Sequence, residues 1–193
     1  VMNVSLSLIQ KMYIDKKMPF SLPEMDFKGK LPEDCKIMIV LPCLLNSTKR
    51  VDEMVKQLEA AYWANPQNGI YYTLLADLSE SSTKTTDKDS EIISYARQQT
   101  EKLGKNFRLF IRERTYYKED NKWMGFERKR GALLELNRAI INGDLPKVNY
   151  VLTVDADTII PINTAIKMAQ IMYHPLNRPH VAYVKGEAIV TQG

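Results

Sequence analysis

Residues 37–78 read IMIVLPCLLNSTKRVDEMVKQLEAAYWANPQNGIYYTLLADL, and the fold class follows from this segment. Its two ends, Ile37–Leu41 and Ile70–Ala76, are short apolar runs typical of buried strands, and we expect Pro42 and Asp77 to end them. Ser47 is a typical helix N-cap, and the residues after it are apolar at three- and four-residue spacing: Val51, Met54, Val55, Leu58 and Tyr62. A strand, a helix and a strand in this order predict one β-α-β unit of a parallel sheet.

The same alternation continues along the chain. Further segments are a helix with Ile92, Ile93, Ala96 and Leu103 ending at Gly104, a strand Phe107–Ile111, and a polar aromatic excursion Arg114–Phe126. They are followed by a helix from about Lys129 to Ile141 stopped by Gly143, a strand Tyr150–Val154, a helix with Pro161 in its first turn that ends before Pro175, and a strand Val181–Val184. The pattern predicts an α/β fold with a mostly parallel sheet flanked by helices.

The segment before the first strand has a different character. Val1–Met18 is weakly helical, and Pro19–Asp34 holds three prolines with little periodicity. We therefore expect residues 1–35 to form an arm and a linker and residues 36–193 to form the domain. The chain begins at Val1 without an initiator methionine and stops just after a predicted strand, so we expect a truncated piece of a larger protein.

Composition excludes several classes of protein. The 193 residues carry 27 Lys and Arg against 23 Asp and Glu, and a formal charge of +4 is too small for a nucleic-acid-binding surface. Two cysteines build neither a disulfide framework nor a four-thiolate zinc site, and we expect Cys43 to be a small buried residue. The longest apolar stretch, Ile37–Leu45, is far shorter than the roughly 20 residues of a membrane span, so we expect no span in this chain.

Acidic residues follow two of the predicted strands. Asp77 comes after the second strand, and Asp155 and Asp157 come after the strand Tyr150–Val154 with one small residue between them. Ligands of open parallel sheets bind outside the carboxyl ends of the strands, and two such carboxylates suit one hard cation such as Mg²⁺. In the alternative interpretation, Asp157 or Thr158 caps the next helix and Asp77 bonds the backbone of its own loop.

Three cations stand where a helix is predicted to begin. Arg128, Lys129 and Arg130 lie in the segment ERKRG, although the positive end of the helix dipole favours acidic residues. An anionic ligand such as a diphosphate resolves this conflict, because helix-start N–H groups and basic side chains both bind phosphate oxygens. The alternative is a solvated basic loop offset by Glu119, Asp120 and Glu127.

Longer strings carry a resemblance to a known family. KWMGFERKRGALLELNRAI (122–140), YVLTVDADTIIP (150–161) and MYHPLNRP (172–179) strongly resemble the glycosyltransferase domain of cyclic β-1,2-glucan synthases. The resemblance extends back to about Ile37. It implies a GT-A-type, Rossmann-like domain of a large membrane-embedded synthase that uses UDP-glucose at the cytoplasmic face of the membrane. It also implies inverting transfer of glucose to a growing β-1,2-glucan acceptor.

The resemblance assigns roles to six residues. Asp155 and Asp157 match an Asp-X-Asp pair, the first near the ribose or the metal and the second on a Mg²⁺ or Mn²⁺ ion that bridges the UDP phosphates. Asp77 matches the acid that contacts the nucleoside in this fold. The three cations Arg128, Lys129 and Arg130 match positions near the diphosphate. Cations at that place stabilise the departing UDP as negative charge develops on it.

The resemblance also leaves a catalytic role unassigned. Inverting transfer needs a carboxylate base to deprotonate the attacking hydroxyl, and related synthases take it from a later acidic motif. No such motif is recognisable before Gly193. We therefore expect the base to lie beyond this chain and the chain alone to be inactive.

Three other classes of protein share some of these features. DADT also fits the Asp-X-Asp-X-Thr motif of haloacid-dehalogenase-like phosphatases, but that motif belongs on the opening strand and about three strands precede it here. A dinucleotide dehydrogenase is disfavoured because the first strand runs into PCLLNST, without a glycine-rich turn. A non-catalytic nucleotide-binding or scaffold fragment is the strongest alternative, and the scaffold reading predicts no saturable UDP binding.

Overall fold

The computed structural model describes residues 22–177 and the strands at 180–184 and 187–191. The predicted arm Val1–Met18 lies outside these residues. Asp26–Gln170 forms one compact unit, and the described residues on either side of it belong to a second, smaller unit. Residues 22–36 contain turns but no helix or strand, and the predicted division of the chain at residue 36 stays a prediction.

The described elements alternate between strands and helices. The strands are β1 (Ile37–Leu45), β2 (Ile70–Leu78), β3 (Phe107–Ile111), β4 (Thr115–Tyr117), β5 (Lys122–Met124), β6 (Tyr150–Thr153), β7 (His180–Val184) and β8 (Glu187–Thr191). The helices are α1 (Thr48–Ala64), α2 (Asp87–Leu103), α3 (Arg128–Asn142) and α4 (Thr164–Tyr173), with a short 3₁₀ turn at Pro175–Asn177.

A four-stranded sheet forms the centre of the larger unit. Its order is β3-β2-β1-β6, and every neighbouring pair is parallel. This confirms the predicted α/β class with a mostly parallel sheet. The chain builds outward from β1 to β3 and then crosses to the other side of β1 to form β6. In such sheets, ligands bind beyond the carboxyl ends of the strands where the order reverses, here between β1 and β6.

The first strand is longer than predicted, because Pro42 does not end it. β1 pairs with β2 from Ile37 through Leu45. Ile37 donates its N–H to Gly69 on the β2 side, whereas Val40 accepts from Val154 on the β6 side, so even-numbered residues face β6. The β6 ladder ends opposite Val40, and the missing N–H of Pro42 falls beyond it. The proline therefore costs no sheet hydrogen bond. β2 likewise continues past Asp77 to Leu78.

Each long helix begins or ends with the residue that the sequence indicated. Ser47 caps α1 and its hydroxyl accepts from the Arg50 N–H at 3.2 Å. Gly104 follows α2, and Gly143, which adopts a left-handed conformation with φ of 88°, follows α3. α3 packs on the sheet through an apolar cluster made of Met38, Val40, Leu75, Ala132, Leu136, Ala139 and Leu145. This packing fixes the start of α3 at the carboxyl edge of the sheet.

The polar aromatic segment, for which the sequence predicts no strand, forms a small antiparallel hairpin of β4 and β5. The hairpin joins the loop after β2, since the backbone groups of Ser81 and Trp123 exchange two hydrogen bonds. Next to it, the buried guanidinium of Arg114 binds both carboxylate oxygens of Asp89 and the carbonyls of Ser79 and Lys84. Arg114 thereby holds the hairpin, the loop and the start of α2 together.

The segment after β6 differs from the prediction. The helix α4 begins at Thr164, so Pro161 lies before the helix and not in its first turn. The Thr164 N–H donates to the Pro161 carbonyl in a preceding turn. In the smaller unit, β7 confirms the predicted strand at 181–184, but it pairs antiparallel with β8. None of the described helices is long and apolar enough to cross a bilayer.

Candidate nucleotide-binding site

A cavity of about 360 Å³ opens at the carboxyl ends of β1 and β2, against the start of α3. Its apolar walls come from both strands and from the helix. The lining residues are Pro42, Cys43, Leu44, Leu75, Asp77, Leu78, Glu80, Met124, Gly125, Arg128, Lys129 and Ala132. Three of the residues predicted for the site, Asp77, Arg128 and Lys129, therefore face one cavity.

Asp77 forms a bidentate ion pair with Arg112, the residue that follows β3. Arg112 Nε and Nη2 each donate to one Asp77 carboxylate oxygen at 2.7 Å. The Arg112 side chain is 1% exposed and the Asp77 side chain 17%. Burial by itself lowers the pKa of Arg112, but the hydrogen bonds and the charge of Asp77, helped by Glu135, raise it above its usual value. A buried cation therefore orients Asp77. The alternative, in which the Asp77 carboxylate bonds the backbone of its own loop, is wrong.

The same guanidinium reaches the turn that precedes α3. Arg112 Nη1 donates to the Phe126 carbonyl at 2.6 Å, and Nη2 donates to the Arg128 carbonyl at 3.0 Å. Glu135, about two turns into α3, accepts from Nη1 at 3.5 Å. Arg112 thus connects the end of β2 to the start of α3.

Two glycines make this close approach possible. A Cβ on Gly125 would lie 2.4 Å from Arg112 Nη2 and 2.8 Å from an Asp77 oxygen. A Cβ on Gly131 would lie 2.1 Å from the Phe126 carbonyl oxygen and 2.6 Å from Arg112 Nη1. All four distances are far below normal contact, so the segment GFERKRG is shaped around the buried arginine.

The basic segment lies at the start of α3, as predicted, but its three cations differ in position. Arg128 lines the cavity, and its side chain forms no ion pair among the residues that the structure describes. Lys129 also lines the cavity, and its ammonium contacts the Asp155 carboxylate. Arg130 points outward with a side chain 79% exposed, pairs with Glu127 at 3.5 Å and does not line the cavity.

The first turn of α3 lacks the usual anionic cap. Its N-cap Glu127 has a left-handed backbone with φ of 55°, and its side chain accepts no capping hydrogen bond. No acidic residue occupies the first turn. The positive dipole end of α3 therefore carries three cations: Lys129 and Arg130 pair with carboxylates, whereas Arg128 forms no ion pair among the described residues.

Asp155 and Asp157 lie in an exposed turn after β6. The Thr158 N–H donates to the Asp155 carbonyl at 2.9 Å, and Asp157 accepts weakly from the Thr158 hydroxyl at 3.5 Å. Because α4 begins only at Thr164, neither Asp157 nor Thr158 caps it, and the capping alternative is wrong. Asp155 reaches the cavity rim through Lys129. Among the described residues, no group of three or more His, Cys, Asp or Glu side chains is arranged to hold a metal, so the predicted ion stays a prediction.

The sequence interpretation missed the central role of Arg112 and underestimated the exposure of Cys43. The Arg112 position directly after β3 was a signal, but its partner Asp77 is 35 residues away in sequence. Cys43 is half-buried on the cavity wall, and burial raises the pKa of its thiol to about 12. Cys43 is therefore a neutral wall residue at physiological pH.

Comparison with known proteins places this geometry in context. The chain is similar to the cyclic beta-(1,2)-glucan synthase NdvB of Rhizobium meliloti (strain 1021), with 36% identity over 183 residues. The similarity covers 84% of this chain and 6% of that protein, so the chain spans only a small part of the length of its relative. No protein-family model matches the chain. Over most of its own length, the chain is therefore related to a glucan synthase.

Proposed function

We propose that this chain is the nucleotide-sugar-binding part of a glucan-synthesising glycosyltransferase and that it binds UDP-glucose. The observation that carries the proposal is the arrangement at the carboxyl edge of the sheet. Asp77, Arg128 and Lys129 line one cavity, and Lys129 connects it to Asp155. The similarity to a synthase of cyclic β-(1,2)-glucan supports the choice of a glucosyl donor.

The cavity offers two chemically different regions. Apolar side chains from β1, β2 and α3 form the wall, and the Asp77 carboxylate lies among them as an acceptor for a nucleoside N–H or hydroxyl. Arg128 and Lys129 stand at the start of α3, where the helix dipole adds to their positive charge. A ligand with a flat polar base at one end and a diphosphate at the other matches this division.

Asp155 and Asp157 fit a divalent cation. Both carboxylates are exposed and separated by one residue, which suits a hard ion such as Mg²⁺ or Mn²⁺ that keeps several waters. Asp155 already holds one cation, the ammonium of Lys129, so its position favours positive charge. When bound, the ion supplies charge that neutralises a diphosphate.

The roles of the chain's own residues follow from these positions. Asp77, fixed by Arg112, orients the nucleoside, and Arg128 and Lys129 bind phosphate oxygens. Arg130 lies at the periphery, and we propose for it only long-range attraction of the anionic donor. Negative charge grows on the diphosphate during transfer, and fixed cations stabilise it most at that stage.

The wider setting is part of the same proposal. The resemblance to cyclic β-1,2-glucan synthases supports a glucan acceptor, inverting transfer, and a place at the cytoplasmic face of the membrane within a larger synthase. The expectation that the 193-residue chain binds its donor without turnover stays a prediction. Formation of β-1,2-glucan from UDP-glucose by the purified chain would contradict it.

Calorimetric titration tests the proposal directly. UDP and UDP-glucose are titrated into the chain with Mn²⁺, with Mg²⁺ and with a chelator. We expect saturable, metal-dependent binding that Asp157→Ala weakens about tenfold, the equivalent of one charge-assisted contact of about 1.4 kcal/mol. Asp144→Ala is the matched control, because Asp144 is an exposed acid just beyond the opposite end of α3.

Other outcomes would support the other classes of protein. A scaffold binds no UDP under any of these conditions. A haloacid-dehalogenase-like phosphatase releases phosphate from a generic phosphate ester and needs Asp155 as its nucleophile. This motif requires an aspartate after the opening strand, whereas Asp155 follows the edge strand β6 and contacts Lys129.

A further inference from the structure

One buried guanidinium joins the two walls of the proposed nucleotide cavity. Arg112 is 1% exposed and is absent from the cavity lining, so it does not contact a ligand there. It nevertheless binds Asp77 on one wall and the carbonyls of Phe126 and Arg128 beside the other. Its contribution to binding therefore passes through the residues that it holds.

Every donor of this guanidinium is used. An arginine side chain has five N–H groups in a fixed planar arrangement. Five hydrogen bonds are formed: two to Asp77, one to each of the two carbonyls, and one to Glu135. A lysine has three donors at a single point and does not reproduce this pattern. The arrangement fixes the relative position of β2 and α3 at the cavity.

The turn that Arg112 holds is conformationally unfavourable by itself. Glu127 and Arg128 have positive φ angles of 55° and 44°, a left-handed backbone that costs about 1 kcal/mol or more per residue without a glycine. The carbonyls of Phe126 and Arg128 lie before and after the Glu127–Arg128 peptide, and both accept hydrogen bonds from Arg112. The turn in question directs Arg128 and Lys129 into the cavity.

We infer that Arg112 is a positioning residue for nucleotide binding, which aligns Asp77 with the cations at the start of α3 so that both engage one ligand. The inference rests on the proposed function, because it concerns the same cavity. It goes beyond that function by making the binding contribution of Arg128 dependent on a residue that the ligand never touches.

A double-mutant cycle separates positioning from simple stabilisation. Arg128→Gln should lower UDP affinity about tenfold in the unsubstituted chain, as expected for loss of a charge-assisted contact. Arg112→Lys should lower UDP affinity by itself, and Arg128→Gln should then have less than about a threefold further effect. Residues that act through one another are non-additive in this way, whereas independent effects multiply.

Arg114→Lys is the matched control. Arg114 is also a buried arginine. It donates two hydrogen bonds to an aspartate and two to backbone carbonyls, but none to α3. Its lysine variant should lose thermal stability to a similar extent while UDP affinity stays within about threefold of the original. An equal loss of UDP affinity in both lysine variants would overturn the inference, because the effect would then be general destabilisation.

The remaining outcomes are distinguishable. If the unsubstituted chain binds no UDP, the proposed function fails and the inference fails with it. If the chain binds UDP and folded Arg112→Lys binds equally well, or its effect multiplies with that of Arg128→Gln, only the inference fails. If Arg112→Lys does not fold, Glu135→Ala removes the longest of the five contacts at a partly exposed residue. This variant should weaken UDP binding about threefold, and an unchanged affinity would overturn the inference.

Discussion

Replacement of Gly131 by alanine gives the sharpest test of the packing around Arg112, because two effects of opposite sign compete. Gly131 lies within α3, and a glycine inside a helix is about 1 kcal/mol less favourable than alanine. Propensity therefore predicts that Gly131→Ala stabilises the chain. The structure predicts the reverse, since the new Cβ would lie 2.1 Å from the Phe126 carbonyl oxygen.

The size of the penalty follows from the contacts. Carbon and carbonyl oxygen atoms normally approach no closer than about 3.3 Å, so the Phe126 oxygen must retreat by roughly 1 Å. That movement breaks its 2.6 Å hydrogen bond with Arg112, and a hydrogen bond to a charged group contributes about 1.5–3 kcal/mol. Overpacking adds about 1–3 kcal/mol. After the propensity gain of about 1 kcal/mol, we expect the free energy of unfolding to fall by about 1.5–5 kcal/mol.

The assay is urea unfolding monitored by circular dichroism, with the slope of the transition compared between variants. Ser94→Ala, at an exposed position of α2, is the control for helix propensity alone and should stabilise the chain by a few tenths of a kcal/mol. A Gly131→Ala chain that is as stable as the original, or more stable, would refute the close approach of Phe126 and Arg112 and with it the shape of the site.

Three further predictions concern other parts of the larger unit. The hydrogen bonds from Arg114 lower the pKa of Asp89, so the stability that this pair contributes is present above about pH 4 and is lost as the pH falls further. Urea unfolding at a series of pH values should show this loss, and Asp89→Asn should remove it. Because burial raises the pKa of Cys43 to about 12, iodoacetamide should modify this thiol in the native chain at pH 8 at least about a hundredfold more slowly than in urea. UDP should slow the modification further, and equal rates in the native and urea-unfolded chain would contradict the burial of Cys43. Leu136→Ala, at a fully buried position, should cost about 2–5 kcal/mol by urea unfolding, whereas Leu134→Ala, 46% exposed, should cost less than about 1 kcal/mol.

The periodic parts of the sequence were sufficient to predict the sheet and its helices. β3 spans Phe107–Ile111 as predicted, and Gly143 ends α3, because strand-length apolar runs and left-handed glycines are local signals. The same holds for Asp77 at the end of β2 and for the acids after β6. Parallel strands place their carboxyl ends at one edge, so strand order alone brings Asp77 and Asp155 to the same side of the sheet.

The departures come from interactions between residues that are distant in sequence. Pro42 breaks a strand only where its missing N–H is needed, and that depends on where β6 ends. Pro161 suits the first turn of a helix, yet α4 begins only at Thr164, and Ile159 and Ile162 before it are 84% and 76% exposed. The position of Arg112 directly after β3 does not reveal its partners, because its importance arises only when folding brings Asp77 and the Phe126 carbonyl to its guanidinium.

The contrast between the buried Arg112–Asp77 pair and the exposed Lys129–Asp155 pair has a consequence for behaviour in concentrated electrolyte. Dissolved ions screen charges at the surface within about 10 Å at 0.1 M, but they scarcely reach a pair whose arginine is 1% exposed. Added sodium chloride should therefore weaken the attraction of Arg128 and Lys129 for an anion while the turn that aims them keeps its geometry. The buried pair that shapes the cavity should therefore be insensitive to ionic strength, whereas anion binding by the exposed cations should be sensitive to it.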